Sequence, residues 1–423
     1  MNKRKIVVFG PGPQFKGGIA NYTTSLAKAL DKVENTEVHI VSWTQQYPSI
    51  IPRDFIDRSS KADLLEGTEI QVNYVTNYNN PFSWRRTVKT IKMLDPEIVV
   101  FQWAIAVQGL PMGYIAKRLK KHKCEVIFDL HVVAQKEPSS IDKIFIRYGL
   151  KSSHSYIVHS YKTFDELKTV FPKTSFSINE TGERTKDDAK HIIKLYHPIY
   201  DMFSPDPDFD IEQVKKELNL KKYVFLFFGF IRKYKGLHNV IKAFAKLTNE
   251  RDDVSLLIVG ESFWHTLESD KFSTRVKKFL FNAVKKILLK KSDDEVNYHP
   301  LDLTEEYHIE NKVTIVNRYV PNEEVNKYFQ VSDCNLLFYL NATPSGVESI
   351  SYNFNLPSLA TKVGHFPETI KDGFNGYLAE PENIDSMCDT MKRFIENPIS
   401  GQNVAEAAKH MSWENYAKAI LKK

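Results

Sequence analysis

Several stretches of this sequence combine residue types and spacing that can hold or transform a ligand. In NATPSGVESISYNF, residues 341–354, Thr343 and Ser345 are helix-capping types and Gly346 keeps the backbone bare. Val347, Ile350 and Phe354 then mark one helical face. A helix starting at Ser345–Gly346–Val347 points N–H groups and its positive dipole end at an anion such as a nucleotide diphosphate, although an ordinary capped helix would read the same. A second stretch, GPGPQFKGGIANY, runs from an apolar strand at Lys5–Phe9 through a glycine loop into a helix from about Ile19. Gly17 and Gly18 stand at that helix start, in the arrangement that cradles phosphate or substrate in α/β domains. The spacing is not GxGxxG, so no dinucleotide fingerprint follows, and a tight turn needing positive φ is the alternative. A third strand, Val126–Leu130, delivers Asp129 and His131 to its C-terminal end, where parallel sheets bind ligands, and Glu137 follows in the same loop. A neutral His131 imidazole there can hydrogen-bond a hydroxyl. The alternative is a histidine satisfied by backbone. A fourth strand ends in FGFIRKYKG, which places Arg232 and Lys235 three residues apart in a loop where both cations can converge.

These residues need a scaffold of alternating strands and helices. Strands are expected at Lys5–Phe9, Val38–Ser42, Ile70–Val75, Ile98–Trp103, Val126–Leu130, Tyr156–Ser160 and Ile193–His197. Helices are expected at Pro81–Leu94 and Met112–His122. The stretch Lys173–Lys190 is polar and reads as a surface excursion. A second series has strands at Tyr223–Gly229, Leu256–Glu261, Thr314–Tyr319, Cys334–Leu340 and Leu359–Val363. Such alternation means parallel sheets covered on both faces. The proline- and aspartate-rich HPIYDMFSPDPDFD, residues 197–210, reads as a hinge. The expected organisation is therefore an N-terminal domain over 1–204, a C-terminal domain over 205–405 and a final helix over 406–423 packing back towards the first.

Residues 264–308 interrupt the second series. Within them FSTRVKKFLFNAVKKILLKK puts Phe272, Val276, Phe279, Ala283, Ile287 and other apolar residues on one helical face, with lysines elsewhere. A basic amphipathic helix of this kind is a candidate for docking on an anionic membrane surface, and a helix packed on its own domain is the alternative.

The bulk numbers exclude several classes. With 423 residues the chain is long enough for two or three domains. Its three cysteines are far apart and odd in number, which gives no disulfide framework or metal spacing and suits a reducing cytoplasm. The basic start MNKRKIVVFG is too short in its apolar run for a signal peptide. A net charge of +6 attracts phosphates or anionic membranes, and no nucleic-acid motif accompanies it.

The stretch Asn341–Glu368 resembles the nucleotide-sugar signature of glycosyltransferase family 4, the retaining GT-B enzymes. Pro357, Ala360, Thr361, Val363, Gly364, Pro367 and Glu368 fall into that frame without gaps, and Asp372, Gly373, Asn375 and Gly376 match the turn that follows. Pro321, Glu324, Val325, Tyr328 and Phe329 resemble the helix that frames the base. The family's two glutamates fall on Ala342 and Ile350, and the chain resembles instead the branch reading Ser345–Gly346–Val347. Glu348 is about 200° of helix from Ile350 and is not a simple substitute. The resemblance implies a GT-B fold, two Rossmann-like parallel-sheet domains facing one another across a cleft. It implies a hexosyltransferase that moves a sugar, with retention, from a nucleotide diphosphate-sugar to a glycan or lipid-linked acceptor, with no cofactor and no metal. Arg232 and Lys235 would supply the paired cations for the diphosphate. Ser345, Gly346 and Val347 would complete the donor site, with Gly17 and Gly18 meeting the phosphates from the other domain. His131 would sit near the reacting sugar, with Asp129 and Glu137 on the sugar or acceptor side. The implied setting is polysaccharide or glycolipid synthesis in the cytoplasm, peripheral to the inner face of the cell membrane. A degenerate fold kept as a binding scaffold, and a sugar-nucleotide epimerase, are the alternatives.

Overall fold

The computed structural model describes residues 3–47, 55–58, 60, 63–133, 139–184, 189–262, 297–344 and 346–422. Glu137, Ser345 and the amphipathic stretch FSTRVKKFLFNAVKKILLKK lie outside the described residues. The chain divides into two compact units: one of Met1–Pro48, Phe55–Pro198 and His410–Lys423, the other of Ile199–Lys409.

The first unit holds an eight-stranded sheet. In chain order its strands are β1 (Arg4–Phe9), β2 (Thr36–Gln45), β3 (Gln71–Asn77), β4 (Ile98–Trp103), β5 (Glu125–Leu130), β6 (Ser155–Val158), β7 (Phe176–Asn179) and β8 (Lys190–Lys194). Their spatial order is β3-β2-β1-β4-β5-β6-β8-β7, and every pairing is parallel. Strands β4 and β6 are buried throughout, as expected for strands covered on both faces. The sequence reading of Lys173–Lys190 as a surface excursion is corrected here. Phe176–Asn179 adds an edge strand to β8, and its partly exposed pattern explains why the stretch looked polar.

Strand order reverses between β1 and β4, so the loop after β1 opens at the topological switch point where such sheets bind ligands. Gly17, at φ 104°, ends that loop and starts the helix Gly18–Asp31. The C-terminal helix Trp413–Leu421 packs on Gly18–Asp31. Two arginines hold its C-terminal carbonyls. Arg184 donates to the carbonyls of Ala419 and Ile420 at 3.1 and 2.8 Å, and Arg4 donates to that of Leu421 at 3.0 Å. Cations there satisfy orphan carbonyls and suit the negative end of the helix dipole. Gly182 allows the approach, because a Cβ on it would lie 2.1 Å from the Ala419 carbonyl.

The second unit holds a six-stranded sheet of β9 (Tyr223–Phe228), β10 (Val254–Val259), β11 (Val313–Val316), β12 (Cys334–Leu337), β13 (Ser358–Thr361) and β14 (Gly376–Ala379). The order is β11-β10-β9-β12-β13-β14, again all parallel. Its core packs Phe225, Leu256, Ile258 and Leu336 against the amphipathic helices Leu237–Thr248 and Ile384–Glu396. Strand order reverses between β9 and β12, which puts the loop after β9 at this sheet's switch point.

Candidate active site

In the second unit, β9 ends at Phe228 and the chain turns through Gly229, at φ 93°. Arg232 follows in extended conformation, and Lys233–Lys235 form one turn of 3-10 helix before Gly236 caps the helix Leu237–Thr248. Gly236 must be glycine: its φ is 67° and a Cβ would lie 2.2 Å from the Phe338 carbonyl, in the chain that continues from β12. This turn folds Lys235 back under the strand end. Its side chain is buried, with Nζ 3.4 Å from the Phe228 carbonyl oxygen and 5.8 Å from the Tyr339 ring centroid. Burial, then the nearby charge of Arg232, brings its ammonium down to about 7. No carboxylate among the described residues forms an ion pair with either cation, so the pair is electrostatically set for an anion.

Gly229 shows how Lys235 meets the helix start. A Cβ on Gly229 would be 2.8 Å from Lys235 Nζ and 3.4 Å from Val347 Cγ2. The bare backbone at 229 therefore lets a buried ammonium and the first turn of the helix Gly346–Asn353 converge on one spot. Gly346 packs against Tyr200, whose ring would be 2.8 Å from an added Cβ.

Ala342 and Ile350 are buried. Ala342 belongs to a small core with Leu337, Tyr339, Ala360 and Phe366, and its carbonyl lies 2.0 Å from where a Cβ of Gly364 would be. The carboxylate of the helix is on Glu348 instead. It accepts hydrogen bonds from Thr369 Oγ1 at 2.5 Å and Tyr352 OH at 3.3 Å and pairs with His365 Nε2 at 2.5 Å. Asn375 Nδ2 donates to the Tyr352 hydroxyl at 3.2 Å and to the Thr369 carbonyl at 3.0 Å, which closes the network. Glu348 thus belongs to a buried network spanning the helix and the loop after β13. Sequence spacing excluded it as a replacement for Ile350 and gave no sign of that role.

In the first unit, β5 carries Asp129 and His131 to the sheet's C-terminal edge. His131 is buried, with Nε2 2.7 Å from Gln102 Oε1 and its ring 4.5 Å from that of Tyr22. Burial brings its imidazole down to about 4, so it is neutral near pH 7. With Gln102 accepting, the proton sits on Nε2 and Nδ1 presents a lone pair. Asp129 is fully buried: Oδ1 lies 2.9 Å from His159 Nε2 and Oδ2 accepts from Tyr416 OH at 3.0 Å. Burial raises its carboxyl, but His159, His131 and Tyr22 outweigh that and hold it below the usual carboxylate value. The His197 ring lies 5.4 Å from that of His159, tilted against it, and burial pushes its imidazole well down.

The structure thus joins Asp129 and His131 in one cluster and Arg232, Lys235, Gly346 and Val347 around another. Gly17 and the exposed Gly18 lie at the edge of the first sheet, with open space where a Gly17 Cβ would stand. His159 was missed in the sequence although it follows β6 as His131 follows β5. Tyr416 had no local signal, since it lies 287 residues from Asp129. Asp129, His131 and His159 each offer one ligand atom, all within 4.8 Å of one another, and are the group among the described residues that could hold a metal ion.

Residues 208–411 match the family described as glycosyl transferases group 1. That stretch is a glycosyltransferase group 1 domain. The group 1 domain spans the second sheet and its cation pair, and the chain is an enzyme of the glycosyltransferase kind. It is 23% identical over 312 residues to the N-acetyl-alpha-D-glucosaminyl L-malate synthase of Bacillus anthracis, covering 72% of this chain and 67% of that protein. It is 27% identical over 217 residues to the lipopolysaccharide 1,2-N-acetylglucosaminetransferase of Salmonella typhimurium, covering 49% of each. Among solved structures, Anabaena Alr3699/HepE in complex with UDP and glucose superposes with a TM-score of 0.61 at 15% identity, covering 99% of this chain and 96% of that one. At that identity the likeness concerns the fold, which is GT-B: two parallel-sheet α/β units of eight and six strands.

Proposed function

We propose that this enzyme transfers a sugar, with retention of anomeric configuration, from a nucleoside diphosphate-sugar to an acceptor hydroxyl. The observation that carries the reading is Lys235: a buried ammonium with no carboxylate partner among the described residues, beside Arg232, meeting the helix start at Val347 across the bare backbone of Gly229. A buried cation is costly unless something anionic completes it, and a diphosphate has the charge and reach to do so. In the transfer, the bond from the anomeric carbon to the diphosphate oxygen breaks and charge builds on that oxygen. Arg232 and Lys235 stabilise it there. The acceptor oxygen attacks from the same face and gives its proton to the departing phosphate, which leaves as the nucleoside diphosphate. No enzymic nucleophile is required, so the apolar Ala342 and Ile350 are compatible with turnover. His131, neutral and with Nδ1 as an acceptor, is placed to orient a sugar or acceptor hydroxyl.

Two relatives named for N-acetylglucosaminyl transfer, and a similar fold that binds UDP, favour a uridine diphosphate donor and a glycan or lipid-linked acceptor. The setting we favour is surface polysaccharide or glycolipid synthesis at the cytoplasmic face of a membrane. Among the described residues no helix is long and apolar enough to cross one. The degenerate-scaffold reading is favoured by the buried apolar side chains at 342 and 350.

A thermal-shift panel of nucleoside diphosphates and their sugars, on the native chain and on Lys235→Ala, separates these readings. A ligand at a hundred times its dissociation constant adds about 2.7 kcal/mol of stability. Stabilisation by one nucleotide class, lost in Lys235→Ala, together with release of nucleoside diphosphate on adding acceptor, supports transfer. Binding without turnover favours the scaffold, and a flat panel overturns the donor site.

A further inference from the structure

Three helices of the first unit lie side by side on one face of its sheet: Pro81–Leu94, Gly109–Leu119 and Ser140–Leu150. Gly109 and Gly113 bring the middle helix close to its neighbour, since a Cβ on them would lie 2.3 Å from the Phe145 carbonyl and 2.6 Å from the Tyr148 ring. Trp84 and Tyr114, with ring centroids 5.6 Å apart, join the other pair. Each helix runs from the C-terminal end of one parallel strand to the start of the next, so all three point the same way. Their N-terminal ends form a row at the sheet edge where His131 emerges.

That row exposes apolar side chains. Phe82 is 77% exposed, Ile141 56% and Ile144 63%, and Leu110 is exposed beside them. All but Ile144 are the second residue of their helix. The same helices, PFSWRRTVKTIKML, GLPMGYIAKRL and SIDKIFIRYGL, contain eight Arg and Lys residues against one acid, Asp142. Asp142 is committed to the capping box with Ser139. Among the described residues none of the eight cations is in an ion pair, and Arg85 and Arg118 lie over the neighbouring rings of Phe82 and Tyr114. Arg85, Arg86 and Lys143 stand in the N-terminal halves of their helices, away from the last turns where the helix dipole would favour a cation. Local helix stability therefore does not account for them.

We propose that this three-helix edge docks on an anionic lipid bilayer, with Phe82, Ile141 and Ile144 entering the headgroup region and the cations meeting lipid phosphates. Exposed apolar groups beside the unneutralised Arg85, Arg86 and Lys143 complement an acidic membrane surface, where each Arg or Lys near the headgroups adds attraction that salt screens. Docking through this edge turns the His131 end of the sheet towards the bilayer, where a lipid-linked acceptor presents its hydroxyl. The inference rests on the glycosyl-transfer reading for that purpose only. The binding itself is independent of it.

The test is co-sedimentation of the full chain with vesicles of phosphatidylcholine alone or with 30% phosphatidylglycerol (~0.1 M salt, about one Debye length of 10 Å). Phe82→Ser/Ile141→Ser/Ile144→Ser and Arg85→Glu/Arg86→Glu are compared with the native chain. Circular dichroism verifies folding, and the nucleoside diphosphate thermal shift verifies the donor site. The expected result is binding to the anionic vesicles only, reduced at least about tenfold in both variants while the diphosphate shift is kept. Binding that survives in both folded variants overturns the proposal, as does equal binding to neutral vesicles. Loss of binding on reversing Lys277, Lys278, Lys285 and Lys286, with both edge variants unaffected, assigns docking to the amphipathic stretch instead. Tight binding to an oligonucleotide without binding to vesicles makes the edge a nucleic-acid surface. Loss of the diphosphate shift in the native chain overturns the donor reading and leaves the lipid result standing.

Discussion

Glu348 Oε2 and His365 Nε2 lie 2.5 Å apart, both side chains buried, and join the first turn of the helix Gly346–Asn353 to the loop that follows β13. The pair fixes the height of a helix start whose Val347 touches the spot where Lys235 Nζ points. Removing one partner strands the other in a buried site, while Tyr352 keeps its bond to the Thr369 carbonyl at 3.0 Å. Glu348→Ala is therefore expected to cost roughly 3 kcal/mol in urea unfolding, with Glu348→Gln intermediate. The same variant should weaken nucleoside diphosphate binding about tenfold through misplacement of the turn. An unchanged unfolding midpoint would show that the network is not structural.

Lys235 should make nucleoside diphosphate binding pH-dependent. Its ammonium sits at about 7 in the free protein, below the ordinary lysine value, so it is mostly charged at pH 6 and mostly neutral at pH 8. A diphosphate prefers the charged form, so its binding takes up a proton above pH 7. Between pH 7 and 8.5 the affinity should fall about tenfold or more by simple linkage, read by titration calorimetry in two buffers of different ionisation enthalpy. Lys235→Ala should bind weakly and without that slope. A native chain with no slope would mean that Lys235 is charged throughout.

How far these features were legible in the sequence follows from whether their cause is local. The strand–glycine–helix turns at Gly17 and Gly236 were readable because the residue type is demanded by its own backbone, as φ values of 104° and 67° attest. The helix Pro81–Leu94 was readable to the residue, because Asn80 caps it and Pro81 stands in its first turn. Edge strand β7 was not, because none of its side chains is fully buried and its pairing with β8 is what makes it a strand. The Asp129–Tyr416 bond and the Glu348–His365 pair were invisible for a related reason: each depends on which distant segment the fold brings in. A glutamate in the first turn of a helix reads as a dipole partner facing water, and only the returning loop with His365 buries it.

The histidine cluster should make the first unit acid-sensitive. His131 titrates at about 4 in the fold and near 6.5 when unfolded, so between those values the unfolded chain binds more protons. Stability contributed by keeping it neutral is complete above pH 6.5 and is lost as pH falls towards 4. The expected loss is ~3 kcal/mol over that window for this residue. His197, pushed in the same direction, should add to it. Asp129, held below its usual value, contributes stability that is lost only at lower pH still. Denaturant unfolding at pH 7 and pH 4.5 checks this, and His131→Asn should flatten the pH dependence while lowering turnover with little effect on nucleoside diphosphate affinity. Equal slopes in the two proteins would move the proton uptake elsewhere.

Metal removal tests the remaining chemistry of that cluster. Asp129, His131 and His159 have the donor types of a divalent-cation site, with ligand atoms within 4.8 Å. Yet Asp129 already spends one oxygen on His159 and the other on Tyr416, and His131 spends Nε2 on Gln102. A metal would have to break the 2.9 Å Asp129–His159 contact between two fully buried side chains. On the proposed reading, Arg232 and Lys235 supply the diphosphate charge compensation that a metal gives elsewhere. Dialysis against a chelator should therefore leave transfer and the thermal midpoint unchanged. If turnover falls and one divalent ion restores it, and Asp129→Asn loses both that ion by elemental analysis and the restoration, the trio is a metal site and the leaving-group argument above must include it.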